Sequence, residues 1–351
     1  MNKVNEHNFL NSIVEIIKNS QQNVLRAINT TLVYTYFEIG RKIVEEEQNG
    51  KERADYGKQL LKQLSERLTT EFGRGYSVDN LERIRKFYKV YSISETVSRI
   101  SENSISDTVL RKSEIIKTQS LISKFNLSWS HYVFLISIDD HLERNFYEIE
   151  SFKNNWSLRE LKRQYNSALF TRLSLSKNKE EVLQLAEKGQ IIEKPTDVIK
   201  DPYILEFLGL PELHQYSESD LEQEIINKLE HFLLELGHGF AFVARQKRIS
   251  FDEKHFYIDL VFYNRILKCF ILIDLKIGEL KHQDIGQMQM YVNYYDREIK
   301  LEDENKTIGL ILCQNKSDFV VKYTLPEDNN QIFTSKYQTV LPTKEELEKL
   351  F

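Results

Sequence analysis

KHFYIDLVFYNRILKCFILIDLKIGEL, residues 254–280, contains two apolar runs rich in β-branched and aromatic residues, separated by a short polar break. Such runs read as neighbouring strands joined by a turn. Each carries one aspartate, Asp259 and Asp274, among residues that a sheet buries. An ionised carboxylate in such a setting is costly unless it is paired or binds a cation. Side chains alternate along a strand, so Asp274 and Lys276 project from one face. The midpoint of 259 and 274 falls inside Tyr263–Lys268, the expected turn. Antiparallel pairing therefore sets the two aspartates opposite each other or about one pair apart. Two carboxylates and a lysine then converge at one edge of the sheet. Hard oxygen ligands of this kind suit Mg²⁺ or Mn²⁺ rather than zinc. The competing reading is a buried Asp–Lys ion pair with no chemistry.

The flanking sequence builds a domain around this pair. Upstream, Ser219 or Asp220 caps an expected helix, DLEQEIINKLEHFLLELG, ending at Gly237, and GFAFVARQKRIS supplies another strand. Downstream come the helical pattern HQDIGQMQMYVNYYDRE and the apolar run TIGLILC. The order helix, three strands, helix, strand predicts a mixed sheet flanked by helices, an αβββαβ core.

The first half of the chain reads as all-helical, with no proline before position 195. A helix from about Tyr56 to Phe72 is expected to stop at Gly73-Arg74-Gly75. Ser77 caps the next, which reaches Tyr91 and displays Arg83, Arg85, Lys86 and Lys89 beside its apolar stripe. Helix, glycine turn and basic helix make a candidate helix-turn-helix; a plain packed hairpin has the same pattern. SISETVSRISEN and SISDTVLRKSEI (92–115) form a tandem repeat, identical at eight of twelve positions, which reads as a Ser-rich surface insertion. WSLRELKRQYNSALFTRL then opens with a Ser157–Glu160 capping box. Its Arg159, Lys162, Arg163 and Arg172 project from the polar faces, either as a footprint for phosphates or as an ordinary solvated surface.

The 351 residues amount to about two domains, and 41% hydrophobic with 29% charged residues excludes global disorder. The net charge of −5 is unevenly spread: residues 1–180 hold 28 Lys/Arg against 23 Asp/Glu, residues 181–351 hold 20 against 30. A basic half beside an acidic half fits a nucleic-acid-gripping domain joined to one that uses carboxylates, although two solvated surfaces could differ as much by chance. No apolar run approaches the ~18 residues of a membrane span. The amino terminus lacks a signal-peptide pattern, so a soluble, cytoplasmic protein with no membrane partner is expected. Cys269 and Cys313 lie singly in apolar runs, and no phosphate-binding glycine loop occurs.

The order of elements with D…(D/E)xK resembles the PD-(D/E)xK nuclease superfamily, through Asp259 and Asp274-Leu275-Lys276. The resemblance implies that Asp259, Asp274 and the Leu275 carbonyl bind a divalent metal while Lys276 assists water attack on phosphate. Gln287 and Tyr291 are similar to the QxxxY motif of the RecB-like branch, and Gln246 is expected to help orient the site. Glu222 matches an acid that many members supply from the first helix; here it also sits in a Ser219-x-x-Glu222 capping pattern, leaving both roles open. Resemblance to the YhcG family covers nearly the whole chain, through FGRGYSVDNLERIRKFY, YIDLVFYNR, DLKIGEL and GQMQMYVNYYDRE among other segments. The chain departs from many relatives in having Asp rather than Glu at 274 and in the 92–115 insertion.

Expected, then, are a helical nucleic-acid-binding domain (1–178), a linker (179–200) and a restriction-endonuclease-like domain (201–351). The resemblance implies a Mg²⁺-dependent (or Mn²⁺-dependent) endonuclease acting on DNA, in defence against foreign DNA or in DNA processing. The alternative is a catalytically silent nucleic-acid-binding or assembly protein on the same fold. Homo-oligomer formation is left open.

Overall fold

The computed structural model describes residues 3–49, 54–99, 125–174, 178–210, 216–251 and 254–341. Contacts gather Met1–Lys162 into one unit and Arg163–Phe351 into another. Among the described residues no helix is long and apolar enough to cross a membrane.

The first unit is helical: α1 (Lys3–Asn49), α2 (Ala54–Phe72), α3 (Val78–Arg99), α4 (Trp129–Leu135) and α5 (His141–Lys153). The α2–α3 turn follows its sequence. Gly73 and Gly75 take φ of +82° and +126°, and Ser77 Oγ accepts the Asn80 N–H at 3.3 Å. α1 and α3 approach closely at Gly40, where an added Cβ would lie 2.5 Å from the Ile84 carbonyl oxygen. Phe87 is fully buried, its ring 5.2–5.4 Å from those of Phe125, Trp129 and Tyr132. The expected insertion begins differently: α3 runs through the first eight residues of the repeat to Arg99, since SISETVSR holds no glycine or proline to stop it. Residues 100–115 of the repeat lie outside the described residues.

Helix α6 (Leu158–Asn166) starts where expected, with the Glu160 N–H donating to Ser157 Oγ at 3.2 Å. α7 (Leu169–Ser174) and α8 (Lys179–Lys188) follow, then β1 (Tyr203–Ile204), α9 (Glu218–Asn227) and α10 (Leu229–Leu236). Strands β2 (Phe240–Phe251), β3 (Lys254–Asn264) and β4 (Cys269–Glu279) lead to α11 (His282–Tyr294), β5 (Ile308–Asn315), α12 (Asp318–Thr324) and β6 (Ile332–Gln338). The strands form one sheet in the order β1-β6-β5-β4-β3-β2. β2–β3 and β3–β4 are antiparallel hairpins; β4–β5, β5–β6 and β6–β1 are parallel. This is the αβββαβ core, extended by β6 and β1. One face packs Leu260, Phe262, Ile273 and Leu275 against α9 and α10; the other packs Val261, Leu272 and Ile311 against α11.

A buried ion cluster fastens the β1 end of this unit. Glu235, on α10 and fully buried, receives Arg172 Nη1 at 2.8 Å, Arg163 Nη2 at 3.4 Å and the Ile204 N–H at 3.0 Å. Arg172 also donates to the Pro202 and Ser167 carbonyls, both at 2.9 Å, and Arg163 Nε meets Glu206 at 2.7 Å. Burial alone would raise the Glu235 carboxyl, but Arg172, Lys200 and Arg163 together hold it down to about 2. With its folded value below the ordinary 4.5, its stabilisation is complete above about pH 4.5 and lost as pH falls through about 2, an effect of roughly 3 kcal/mol. Glu235→Gln leaves buried cations unmatched and is expected to cost about 3–5 kcal/mol in urea unfolding at pH 7. It should also flatten the acid limb of the stability–pH curve.

Candidate functional site

The strand register puts the site together. In the β3–β4 hairpin Leu260 pairs with Ile273, so Asp259 and Asp274 occupy the next opposed positions. In β2–β3, Arg245 pairs with Leu260 and Lys247 with Ile258, which sets Gln246 level with Asp259. Gln246, Asp259 and Asp274 thus stand abreast on three adjacent strands. Gln246 adopts φ +43°, left-handed backbone that costs a non-glycine residue about 1–3 kcal/mol. Its side-chain amide donates to Asp259 Oδ1 at 3.1 Å and to Glu222 Oε2, bridging β3 to α9.

Each acid has a distinct setting. Asp259 Oδ2 accepts the Leu275 N–H at 2.8 Å, so the carboxylate continues the hydrogen bonding beyond the last β3–β4 backbone pair. Asp274 is 2% exposed, with Oδ2 2.9 Å from Lys276 Nζ but outside hydrogen-bond alignment. Burial first, and the Asp259 charge second, push the Asp274 carboxyl up to about 7 against the pull of Lys276. Burial opposes the charge on Lys276, yet Asp274, Glu218 and Asp259 together outweigh it and hold the ammonium above its ordinary value. Lys276 Nζ also lies 3.8 Å from Glu218. Tyr291, fully buried, donates its hydroxyl to the Tyr257 carbonyl at 2.9 Å and accepts from the Gln287 amide. This pair ties α11 to β3 two residues from Asp259.

Glu222 is corrected in one respect. The cap of α9 is Ser217, whose hydroxyl accepts the Asp220 N–H at 3.1 Å while Asp220 Oδ2 accepts the Ser217 N–H at 2.8 Å. The box lies two residues earlier than the sequence pattern suggests, and Glu222 is left to the site. It is 5% exposed, with Oε1 3.4 Å from Arg245 Nε and no hydrogen bond on that oxygen. Burial raises its carboxyl, countered by Gln246.

The donor set fits a hard divalent cation. Among the described residues no three His, Cys, Asp or Glu side chains form a ready metal cluster. Two buried oxygens, Asp274 Oδ2 and Glu222 Oε1, nevertheless lack hydrogen bonds, and Asp274 is driven toward protonation first by burial and then by Asp259. Added positive charge is what this arrangement lacks, and oxygen donors are what Mg²⁺ and Mn²⁺ take.

The basic residues divide. Arg83 and Lys86 on α3 and Arg159 and Lys162 on α6 are exposed. Arg163 and Arg172 are not: both are committed to Glu235, and Arg172 is only 4% exposed, so neither guanidinium belongs to a surface stripe. Helical periodicity put them on a polar face because it cannot see a buried carboxylate on a distant helix. The sequence reading also missed Glu218 and Arg245, as well as Glu235, an acid within the apolar run HFLLELG. The rule that singled out Asp274, a charge inside a buried run, would have found Glu235.

With metal removed by EDTA, folded Asp274 keeps its proton to about pH 7, whereas an ordinary aspartate loses it near 3.8. The folded state then binds more protons across this window, so stability falls as pH rises, by at most about 1.4 kcal/mol per pH unit. Urea midpoints from pH 5 to pH 8 should fall in the wild type, and Asp274→Asn should flatten that decline. Equal slopes would show that Asp274 is not the strained carboxyl.

Comparison with known proteins agrees with this architecture. Residues 196–350 match the YhcG PDDEXK nuclease domain, and residues 12–172 match the DUF1016 N-terminal domain. The Escherichia coli (strain K12) protein named "Putative nuclease YhcG" is 39% identical over 341 residues, spanning 95% of this chain and 90% of that protein. Among solved structures, a repair endonuclease from Pyrococcus abyssi is similar over 37% of this chain and 50% of its own, with 16% identity and a TM-score of 0.26. An EndoMS–dsDNA complex is similar over 38% and 49%, with 14% identity and a TM-score of 0.25. The chain belongs to the YhcG family, and its C-terminal half is that family's PDDEXK nuclease domain.

Proposed function

We propose that this chain is a divalent-metal-dependent endonuclease that hydrolyses phosphodiester bonds in DNA. The observation that carries the reading is the opposed placement of Asp259 and Asp274, with Lys276 Nζ 2.9 Å from Asp274. Mg²⁺ or Mn²⁺ would be held by Asp259, Asp274, the Leu275 carbonyl and Glu222. When bound, the ion supplies an activated water and offsets the charge gathering on the phosphate.

The chain's own groups supply the rest. Against burial, Asp274, Glu218 and Asp259 favour the Lys276 ammonium in the metal-free site, which suits it as a hydrogen-bond donor and positive charge toward the attacking water and the phosphate. Gln246 fixes the rotamers of Asp259 and Glu222 through one amide, and the Leu275 N–H holds the second Asp259 oxygen. Gln287 and Tyr291 set the spacing of α11 from β3. The exposed cations Arg83, Lys86, Arg159 and Lys162 hold the phosphate backbone.

Plasmid, linear, branched and single-stranded DNA incubated with Mn²⁺ test the reaction. Asp259→Asn and Asp274→Asn are each expected to lower cleavage by at least about 10²–10³-fold with folding retained, since an amide keeps the shape but not the charge. Lys276→Ala should keep Mn²⁺ binding in calorimetry and lose turnover. Asp274→Asn cutting like the wild type would misplace the site. A wild type that neither cuts nor binds Mn²⁺ through these acids would be the silent binder.

Binding is tested separately by the salt dependence of duplex affinity. Four phosphate contacts predict a slope of log affinity on log salt near −3.6, and Arg159→Gln with Lys162→Gln should reduce its magnitude by about 1.8 on every sequence. An unchanged slope would make α6 a solvated face.

A further inference from the structure

α1 carries an apolar stripe that its own unit leaves open. Val33, Tyr36, Phe37, Ile43 and Val44, in its C-terminal half, are buried. Between residues 14 and 32, Val14, Ile17, Val24, Leu25, Ile28 and Leu32 are 38–61% exposed. They run for about 27 Å along the helix, at 1.5 Å per residue. Arg26, on the opposite side of the helix and itself exposed, donates to Asn155 Oδ1 at 2.9 Å, so this long-range hydrogen bond leaves the aliphatic face uncovered.

Composition and spacing say what covers this face. Residues 13–32 hold only three charged side chains, Glu15, Lys18 and Arg26, too few for a solvated stripe or for a partner chosen by charge. Val14, Ile17, Gln21, Val24 and Ile28 follow the 3-4-3-4 spacing by which one helix seats on another, with a single polar residue, Gln21, inside the seam. With Ile13, 38% exposed, the aliphatic residues form a contiguous run of large side chains rather than the scattered single ones of an ordinary surface, the kind of patch that marks an interaction site. A rod with one uncharged, evenly spaced seam is complementary to itself, which is what a two-fold pair requires.

We propose that residues 13–32 of α1 dock on the same segment of a second copy of this chain, making the protein a dimer through a helix–helix seam. Pairing puts two copies of the Asp259–Asp274 site into one particle.

Sedimentation equilibrium of the full chain across the micromolar range tests this. The wild type should show twice 41.7 kDa. Val24→Asp with Ile28→Asp should give a single-chain mass with helical circular dichroism retained, while Asn23→Glu, away from the seam, should remain two-chain. Gln21→Leu should tighten association about tenfold or more by replacing a buried amide with an aliphatic group, a gain that misfolding cannot mimic. A wild type that stays single-chain throughout, a two-chain mass that survives the double substitution, or Gln21→Leu with no gain would overturn the proposal. So would a foreign protein seated on the stripe in place of the second copy.

Discussion

Two carboxylates opposed across an antiparallel hairpin repel each other, and the surrounding structure is arranged to hold them there. Opposed side chains on such strands have Cβ atoms about 5 Å apart. At an effective dielectric near 20, two unit charges at that distance repel by about 3 kcal/mol. The register that imposes this is fixed by apolar residues on both faces of the sheet. Slipping one residue would turn Leu260, Phe262, Ile271 and Ile273 out of one core and Val261 and Leu272 out of the other. The hydrophobic pattern therefore overrides the charges, which find relief locally, through Lys276 beside Asp274 and a raised Asp274 carboxyl.

The relief is partial, and the remaining strain is concentrated where a ligand would use it. Gln246 holds an unfavourable φ so that one amide can reach both Asp259 and Glu222. Asp259 in turn serves the Leu275 N–H, so its orientation belongs to the backbone as much as to the site. A chain selected for stability alone would gain from an apolar residue at 274, which removes the buried charge and the repulsion together. Keeping both acids and the lysine is hard to explain by folding; on the proposed reading it follows from a cation-binding role.

What the sequence reveals about this molecule depends on range. The β3–β4 hairpin, its turn and the opposed aspartates are legible because period-2 alternation and a short connection fix register locally. The αβββαβ order follows from six periodic segments in a row. β6 is not legible, because IFTSKYQ mixes polar and apolar residues in a strand whose inward positions include Thr334 and Ser335. β1 is two residues long and has no period to read. The Glu235 cluster escaped for a different reason: its members are separated by 63 and 72 residues, and nothing in α6 or α7 marks Arg163 and Arg172 as inward-facing. Glu222 could be placed near the site but not released from its capping pattern until Ser217 was seen to cap α9.

The same cluster sharpens the division of charge. Residues 181–351 hold ten more acids than bases. Arg163 and Arg172, which the polar pattern of α6 and α7 would have lent to a nucleic-acid surface, are spent neutralising Glu235 instead. At physiological salt the Debye length is about 8 Å, so long-range repulsion between this acidic half and a polyanion is damped but contacts at the site are not. The nuclease half keeps exposed cations of its own, Arg245, Lys247 and Arg248 on β2 among them, but its acids outnumber its bases. On the proposed reading, grip comes from the exposed cations of Met1–Lys162 and chemistry from the acids of Arg163–Phe351. Substitutions in one set should then leave the other's measurement standing, a separation that a single mixed-charge surface would not produce.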